Sequence, residues 1–508
     1  MKVHDGRAHE GDLSLDCDLV IIGSGAGGAV VAAEAAEAGQ DVIVLEEGRH
    51  VEAERYAKFS TLESLQHLFR GGGTSFAVGV GKSPFINVTM GRCVGGSSVI
   101  TGGVCFRTPE SVTEVWVKER GLPRMSSKDL EPYFEEVERA IHVEEVPVAM
   151  RSASTRLFGE GAAARGHPLE PIRRNTEGCR GCGRCNFGCP HQAKRSVDLN
   201  YLPRAVAAGA RIHSGCLAQR IEHSGGRATG VTGRLLGGRS DAPRGKFTVR
   251  ARRVVLAAGS YHGPGILQKS GLMGPSRQVG RNMTLHPGFR VMARFDESVR
   301  GWSGALQSAY SDAFEADRFT MVGLFLPPGV LAATLPGVGP EHLHHARSIP
   351  NLAVFGGIIH DEGGGRVRGG FGREPLVTYR MAKEDRAVIP KILREMGEIY
   401  LAAGAKELFL PILGLGGVDA DRFRSLDFEK VKPRDLECSS QHPLGTCRMG
   451  DNEKTSAVDE NGKLWGLDGL YLADGSIVPT SLGVNPQLTI MAMALKVSRG
   501  MLDVPLPG

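Results

Sequence analysis

Between residues 17 and 48 short apolar runs flank one stretch of small residues. Asp18-Leu-Val-Ile-Ile22 is a continuous apolar run of strand length. Residues 26–38 are alanine-rich and are followed by Gly39, the composition and stop signal of a helix. Asp41-Val-Ile-Val-Leu45 reads as a second buried strand, so the segment predicts a strand–helix–strand unit. Two later apolar runs, Arg253-Val-Val-Leu-Ala-Ala258 and Gly469-Leu-Tyr-Leu-Ala473, stop at Gly259 and at Asp474-Gly475, and residues 487–502 read as a closing helix. Strands at the beginning, middle and end predict one sheet assembled from distant segments. The expected class is α/β, α+β overall, with a Rossmann-like domain at 17–106, 196–289 and 436–508. The less regular stretches 107–195 and 290–435 are expected to form a second lobe around a mainly antiparallel sheet.

Composition narrows the function classes. The 508 residues are too many for one ordinary domain, and 41% hydrophobic with 23% charged residues describes a globular chain with ample core. A net charge of +5, without a basic run and with 6% aromatics, gives no basis for a nucleic-acid partner. No stretch approaches the roughly 20 apolar residues of a membrane span. Residues 1–16 are polar and lack the apolar core of a signal peptide, so a cytoplasmic location, with a peripheral membrane association as the variant, is the expectation. Glycine is abundant, with 70 residues in clusters, which points to tight turns and close backbone approach to a ligand.

The first cluster, Gly23-Ser-Gly25-Ala-Gly-Gly28, is GxGxxG placed after a strand and at the start of a helix. Gly23 permits the tight turn, Gly25 lets backbone approach a pyrophosphate, and Gly28 allows close helix–strand packing. The helix N-terminus adds unpaired N–H groups and positive dipole. Glu46 ends the next strand, 18 residues beyond Gly28, where a carboxylate would bind ribose hydroxyls. The motif by itself does not separate NAD from FAD.

The second cluster, Gly91-Arg-Cys-Val-Gly95-Gly96-Ser97-Ser98-Val-Ile-Thr101-Gly102-Gly103, has few side chains to clash with a flat or anionic ligand. It resembles the first signature of the glucose–methanol–choline (GMC) oxidoreductase family. Gly259-Ser-Tyr-His-Gly-Pro264-Gly-Ile-Leu-Gln-Lys-Ser270-Gly271-Leu272 resembles the second, with Gly263 where Ser or Thr is usual. Val279-Gly-Arg-Asn282-Met-Thr-Leu-His286-Pro287 is similar to a further family segment, and residues 441–494 match best. The resemblance covers most of the chain, is weakest over 290–435, and is nearest to the long-chain alcohol oxidase and cholesterol oxidase-like branches.

The resemblance implies FAD as cofactor and a substrate-binding role for the second lobe. It places Gly96, Ser97, Thr101, Gly102, Ala218, Asp474, Gly475 and Pro486 beside the flavin nucleotide, with Thr101 standing where many members have asparagine. It also implies that His442 and Asn485 are the reacting pair; some members carry a second histidine at the latter position. The residue types suit the chemistry of an alcohol losing a hydroxyl proton while its carbon hydride leaves for flavin N5. A histidine can accept that proton as a base, and an amide can donate to the developing alkoxide without changing charge. The closing helix would aim its positive end at the reduced flavin.

Cys179-x₂-Cys182-x₂-Cys185-x₃-Cys189-Pro190 has the spacing of a ferredoxin ligand run, which makes an iron–sulfur cluster a candidate. Zinc, a disulfide pair and reduced thiols packing a lobe compete with it. A cluster would pass electrons to a quinone or cytochrome-type acceptor instead of oxygen. The expected activity is oxidation of an alcohol, hydrophobic by the nearest resemblances, to an aldehyde or ketone. The alternatives are a lyase or decarboxylase on the same fold and a nucleotide-binding module without turnover.

Overall fold

The computed structural model describes residues 1–238, 241–324, 326–370 and 372–504. The buried runs Leu13–Ile22 and Val42–Leu45 pair in parallel around the helix Ala26–Glu37, as the apolar pattern predicts. Leu13–Ile22 is longer than its apolar run because Leu13, Leu15 and Cys17 alternate with the exposed Ser14 and Asp16. That period of two lets the extension pair with residues 247–251 of Ala242–Leu256. Arg211–Ser214 and His4–Asp5 extend the sheet on one side. On the other side Ala242–Leu256 pairs in parallel with Leu470–Leu472 and antiparallel with Arg227–Gly237, which continues to Cys216–Ser224.

The parallel strands finish together. Ile22 is in register with Leu45 and with Leu256, and Leu256 with Leu472. Gly23, Glu46, Gly259 and Asp474 therefore leave one edge of one sheet although more than 400 residues separate the first from the last. This carboxyl edge is where open α/β sheets bind ligands. The closing helix Gln487–Leu502 packs on Ala26–Glu37 and on Ser127–Ala140, with most of its residues buried.

A second, mostly antiparallel sheet is centred on Gly288–Arg294 and Leu352–Ile359. The helices Ala153–Ala164 and Lys383–Ala402 cover it, and Phe158 stacks on Phe355 at 3.8 Å between centroids. Phe76–Gly79, Ile86–Val88 and Cys438–Ser440 belong to this sheet. The sequence segments 17–106 and 436–508 placed those strands with the nucleotide domain. Pairing follows where the chain returns in space, so the two sheets share segments that a linear partition separates. Among the described residues no helix is long and apolar enough to cross a membrane.

Candidate active site

The glycine cradle forms because several turns leave no room for a β-carbon. At Gly23, with φ +101°, a β-carbon would lie 2.3 Å from the Ala257 carbonyl oxygen. At Gly28 it would lie 2.1 Å from the Gly23 oxygen, so this glycine serves helix–strand packing, as its motif position implies. The two glycine clusters meet face to face: a β-carbon on Gly96 would lie 2.8 Å from the Gly25 α-carbon. Ser24 joins them, its hydroxyl accepting from the Gly95 N–H at 3.1 Å and donating to Glu46 at 2.7 Å.

A groove runs along this junction. Gly23, Gly25, Glu46, Gly96, Ser97, Ala218, Asp474, Gly475 and Pro486 line it, and so does His442. Gly28, Thr101 and Gly102 are not among its lining residues. Thr101 instead donates to the Gln487 side chain at 3.0 Å, tying the loop to the first turn of the closing helix. The Gly102 carbonyl accepts from Arg174, and a β-carbon there would collide with Gln307. Glu46 is held by the N–H groups of Ser24 and Gly48, and burial raises its carboxyl pKa against those bonds. Both oxygens of Asp474 accept backbone N–H groups, from Gly259 at 2.7 Å and Ser476 at 2.8 Å.

A glycine-faced groove at a helix N-terminus and a sheet's carboxyl edge fits a dinucleotide. Arg70, His262 and Glu374 line the same groove and were not singled out in the sequence. They form a chain in which Glu374 pairs with Arg70 at 3.2 Å and His262 at 3.1 Å. Three consecutive glycines after Arg70 were the available signal.

His442 and Asn485 come together, with the His442 Nε2 atom 3.1 Å from the Asn485 amide. The other end of that amide is buried without a protein partner. Burial lowers the His442 pKa to about 4, so the ring is neutral near pH 7. Behind it lies His286, with the two Nδ1 atoms 3.3 Å apart. His286 has no role legible in the sequence beyond its family segment, and Asp361, which accepts its backbone N–H, carries no sequence signal.

The four cysteines line one small cavity with Lys194. Arg174, fully buried, donates to the Cys185 sulfur at 2.8 Å, and the Lys194 N–H donates to Cys189 at 3.4 Å. All four are free of disulfide bonds. Among the described residues no three His, Cys, Asp or Glu side chains converge as a metal ion requires. The disulfide and zinc readings are therefore unsupported, and no electron step can be drawn through an iron–sulfur cluster.

Comparison with known proteins agrees with this geometry. Family models described as GMC oxidoreductase match residues 65–288 and 373–494, and one described as FAD binding domain matches 18–58. An uncharacterized GMC-type oxidoreductase of Mycobacterium tuberculosis is 40% identical over 95% of this chain and 75% of its own length. A long-chain-alcohol oxidase of Arabidopsis thaliana is 29% identical over 96% of this chain and 68% of its own. The crystal structure of pyridoxine 4-oxidase from Mesorbium loti superposes with a TM-score of 0.72 at 19% identity, covering 95% of this chain and 99% of that one. With its dinucleotide groove built from the segments that these family models match, the chain belongs to the GMC oxidoreductase family and is an FAD-dependent oxidoreductase.

Proposed function

We propose that the protein oxidises a hydrophobic alcohol to an aldehyde or ketone at the His442–Asn485 pair. The observation that carries the reading is the contact of these two polar side chains at 3.1 Å, with His442 and Pro486 lining the FAD groove. When bound, FAD supplies the acceptor for the hydride that leaves the carbinol carbon. His442 and Asn485 hold the hydroxyl oxygen while charge develops on it, in a half-buried setting where such contacts are stronger than in water. Pro486 brings the N-terminus of the closing helix to the groove, where its dipole favours negative charge. The similarity to a long-chain-alcohol oxidase supports a hydrophobic substrate. The flanking lobe, with its mostly antiparallel sheet, would bind it.

The test is anaerobic mixing of the FAD-loaded protein with primary alcohols of increasing chain length, followed by flavin absorbance. Bleaching that strengthens with chain length is the expected result. A flavin that no alcohol bleaches would overturn the reading and favour a lyase or a non-catalytic flavoprotein.

A further inference from the structure

We propose that a second cavity, walled by arginine and lysine side chains and separate from the FAD groove, binds a small organic polyanion carrying two or more phosphate groups. Such a site is distinct from the proposed alcohol oxidation and exists whether or not any alcohol is turned over.

The cavity has a volume of about 1600 Å³ and shares no lining residue with the FAD groove. Ten arginines and lysines line it, against three carboxylates: Glu119, Asp361 and Glu362. Two of those carboxylates are already engaged. Asp361 accepts the backbone N–H groups of Leu285 and His286 and the hydroxyls of Tyr379 and Ser481. Glu362 pairs with Arg318 at 2.8 Å, and Asp385 takes the same guanidinium at 2.9 Å. The other nine cations form no ion pair among the described residues, so Glu119 alone is left to oppose them.

Their placement follows from local structure. In the strand Gly365–Arg368 burial alternates, with Val367 inside and Arg366 and Arg368 exposed on the other face. Arg366 sits opposite Thr378 of the antiparallel strand Leu376–Tyr379, and both line the cavity. Arg120 ends the helix Glu110–Arg120, whose Val112 and Val115 add an apolar wall. Lys383 and Arg386 stand three residues apart at the start of Lys383–Ala402 and so share one face of that helix. Arg281 and Arg448 arrive from loops.

The inner wall lacks an acceptor and a donor that a ligand would supply. Thr284 is 3% exposed, and its hydroxyl has no partner within the protein. The Arg120 Nε atom is also buried without a partner. Burial and the charge of Arg120 together push the Arg448 guanidinium below its ordinary range. Two guanidiniums this close, neither of them in an ion pair, repel each other, and an anion between them turns repulsion into attraction. Guanidinium forks match phosphate oxygens through paired N–H···O contacts.

Shape and charge select the occupant. A flat membrane or protein surface meets the outer cations Lys82, Arg366 and Lys383 but does not reach Thr284. A single carboxylate reaches it and leaves most of the cations unmatched. Phosphate groups, each carrying about 1.5–2 negative charges near neutral pH, match both the depth and the excess. A cleft lined by one sign of charge also concentrates ligands of the other sign.

The cavity adjoins the loop that carries Asn485. Thr480 and Ser481 line it, and the chain runs on from them through Leu482 and Gly483 to Asn485. His286 Nε2 accepts the N–H groups of Leu482 at 3.0 Å and Gly483 at 3.2 Å. His360 lines the cavity and packs against Gly483. These two histidines stand between the anion site and the reacting pair, and neither His442 nor Asn485 lines the cavity.

The test is isothermal titration calorimetry of the FAD-loaded full chain with inorganic tripolyphosphate, pyrophosphate and monophosphate near neutral pH. The expected result is one tripolyphosphate per chain, bound at least about tenfold more tightly than monophosphate and weakened by added sodium chloride. Arg366→Ser combined with Lys383→Ser should weaken binding by about tenfold or more. Lys432→Ser, at an exposed lysine outside the cavity, should leave it unchanged. Arginine-specific labelling read by mass spectrometry locates the site on the wild-type chain, where tripolyphosphate should protect Arg120, Arg281 and Arg448. That readout stands even if the variants fail to fold. Absence of saturable binding at millimolar tripolyphosphate overturns the inference, as does an equal loss in the Lys432 variant or labelling that tripolyphosphate does not slow. Release of flavin on titration overturns it by placing the anion in the FAD groove. Tighter binding of polyglutamate than of tripolyphosphate overturns it too, and assigns the cavity to an acidic protein segment.

Discussion

The ammonium of Lys194 lies 2.6 Å from the carbonyl oxygen of Val99. The same group donates to the carbonyls of Ser98 and Thr101, in the loop that follows the groove-lining Gly96 and Ser97, and to that of Cys185 in the cysteine segment, all within 3.0 Å. One buried cation therefore shapes the back of the cofactor groove. Its replacement in Lys194→Met leaves several buried carbonyls without donors, each costing about 1–3 kcal/mol. The expected outcome is a lower thermal midpoint and weaker FAD retention, read from flavin fluorescence released during dialysis.

Gly96 has φ +54° and faces Gly25 across the groove. Gly96→Ala adds a β-carbon 2.8 Å from the Gly25 backbone and demands a conformation that alanine avoids. Protein purified with this substitution should carry less flavin per chain than wild type, measured from the ratio of absorbance at 450 nm to that at 280 nm. Undiminished flavin would show that the two loops part freely.

His442→Ala and Asn485→Leu both remove a polar contact at the proposed reacting oxygen. Each is expected to retain FAD and to slow anaerobic flavin reduction by roughly 10²-fold or more. Stopped-flow absorbance with a long-chain alcohol checks this. Loss of flavin instead of rate would assign the pair to cofactor binding.

Stability should fall on mild acidification. Burial depresses His213, His360 and His442 from the ordinary 6.5 to about 4. Between those values the unfolded chain binds more protons than the folded one, so the stabilisation present above pH 6.5 is lost as pH falls towards 4. Each group contributes up to about 1.4 kcal/mol per pH unit in that window. Asp385, raised from 3.8 to about 6 by burial, acts in the opposite direction, its contribution being lost as pH rises through 6. Urea midpoints measured from pH 7 to pH 4.5 should decline, and more shallowly in His360→Gln.

Iron and acid-labile sulfide determined on anaerobically purified protein decide the state of Cys179, Cys182, Cys185 and Cys189. Their arrangement predicts flavin absorbance without stoichiometric iron, and ten reactive thiols in denaturant, these four among them. Iron and sulfide in proportion to flavin would restore the ligand run as an electron relay.

The nucleotide half was legible in the sequence because its signals are local. A buried parallel strand is a continuous apolar run, a tight turn onto a helix requires glycines at fixed offsets, and both can be read without knowing what lies opposite. That is why Gly23, Gly25, Glu46 and the closing helix were found where they stand. Motif resemblance added His442 and Asn485, whose local sequence alone would not have distinguished them from packed polar residues. Only the tertiary structure decided how the strand ends align, which brings residues 23, 259 and 474 to one edge. It also showed that strands from both ends of the chain share the second sheet. His286 and Asp361 could not be read in advance, because their roles depend on which backbone donors face them across the fold. Hydrogen-bond direction is a property of pairs in space, and sequence spacing carries no record of it.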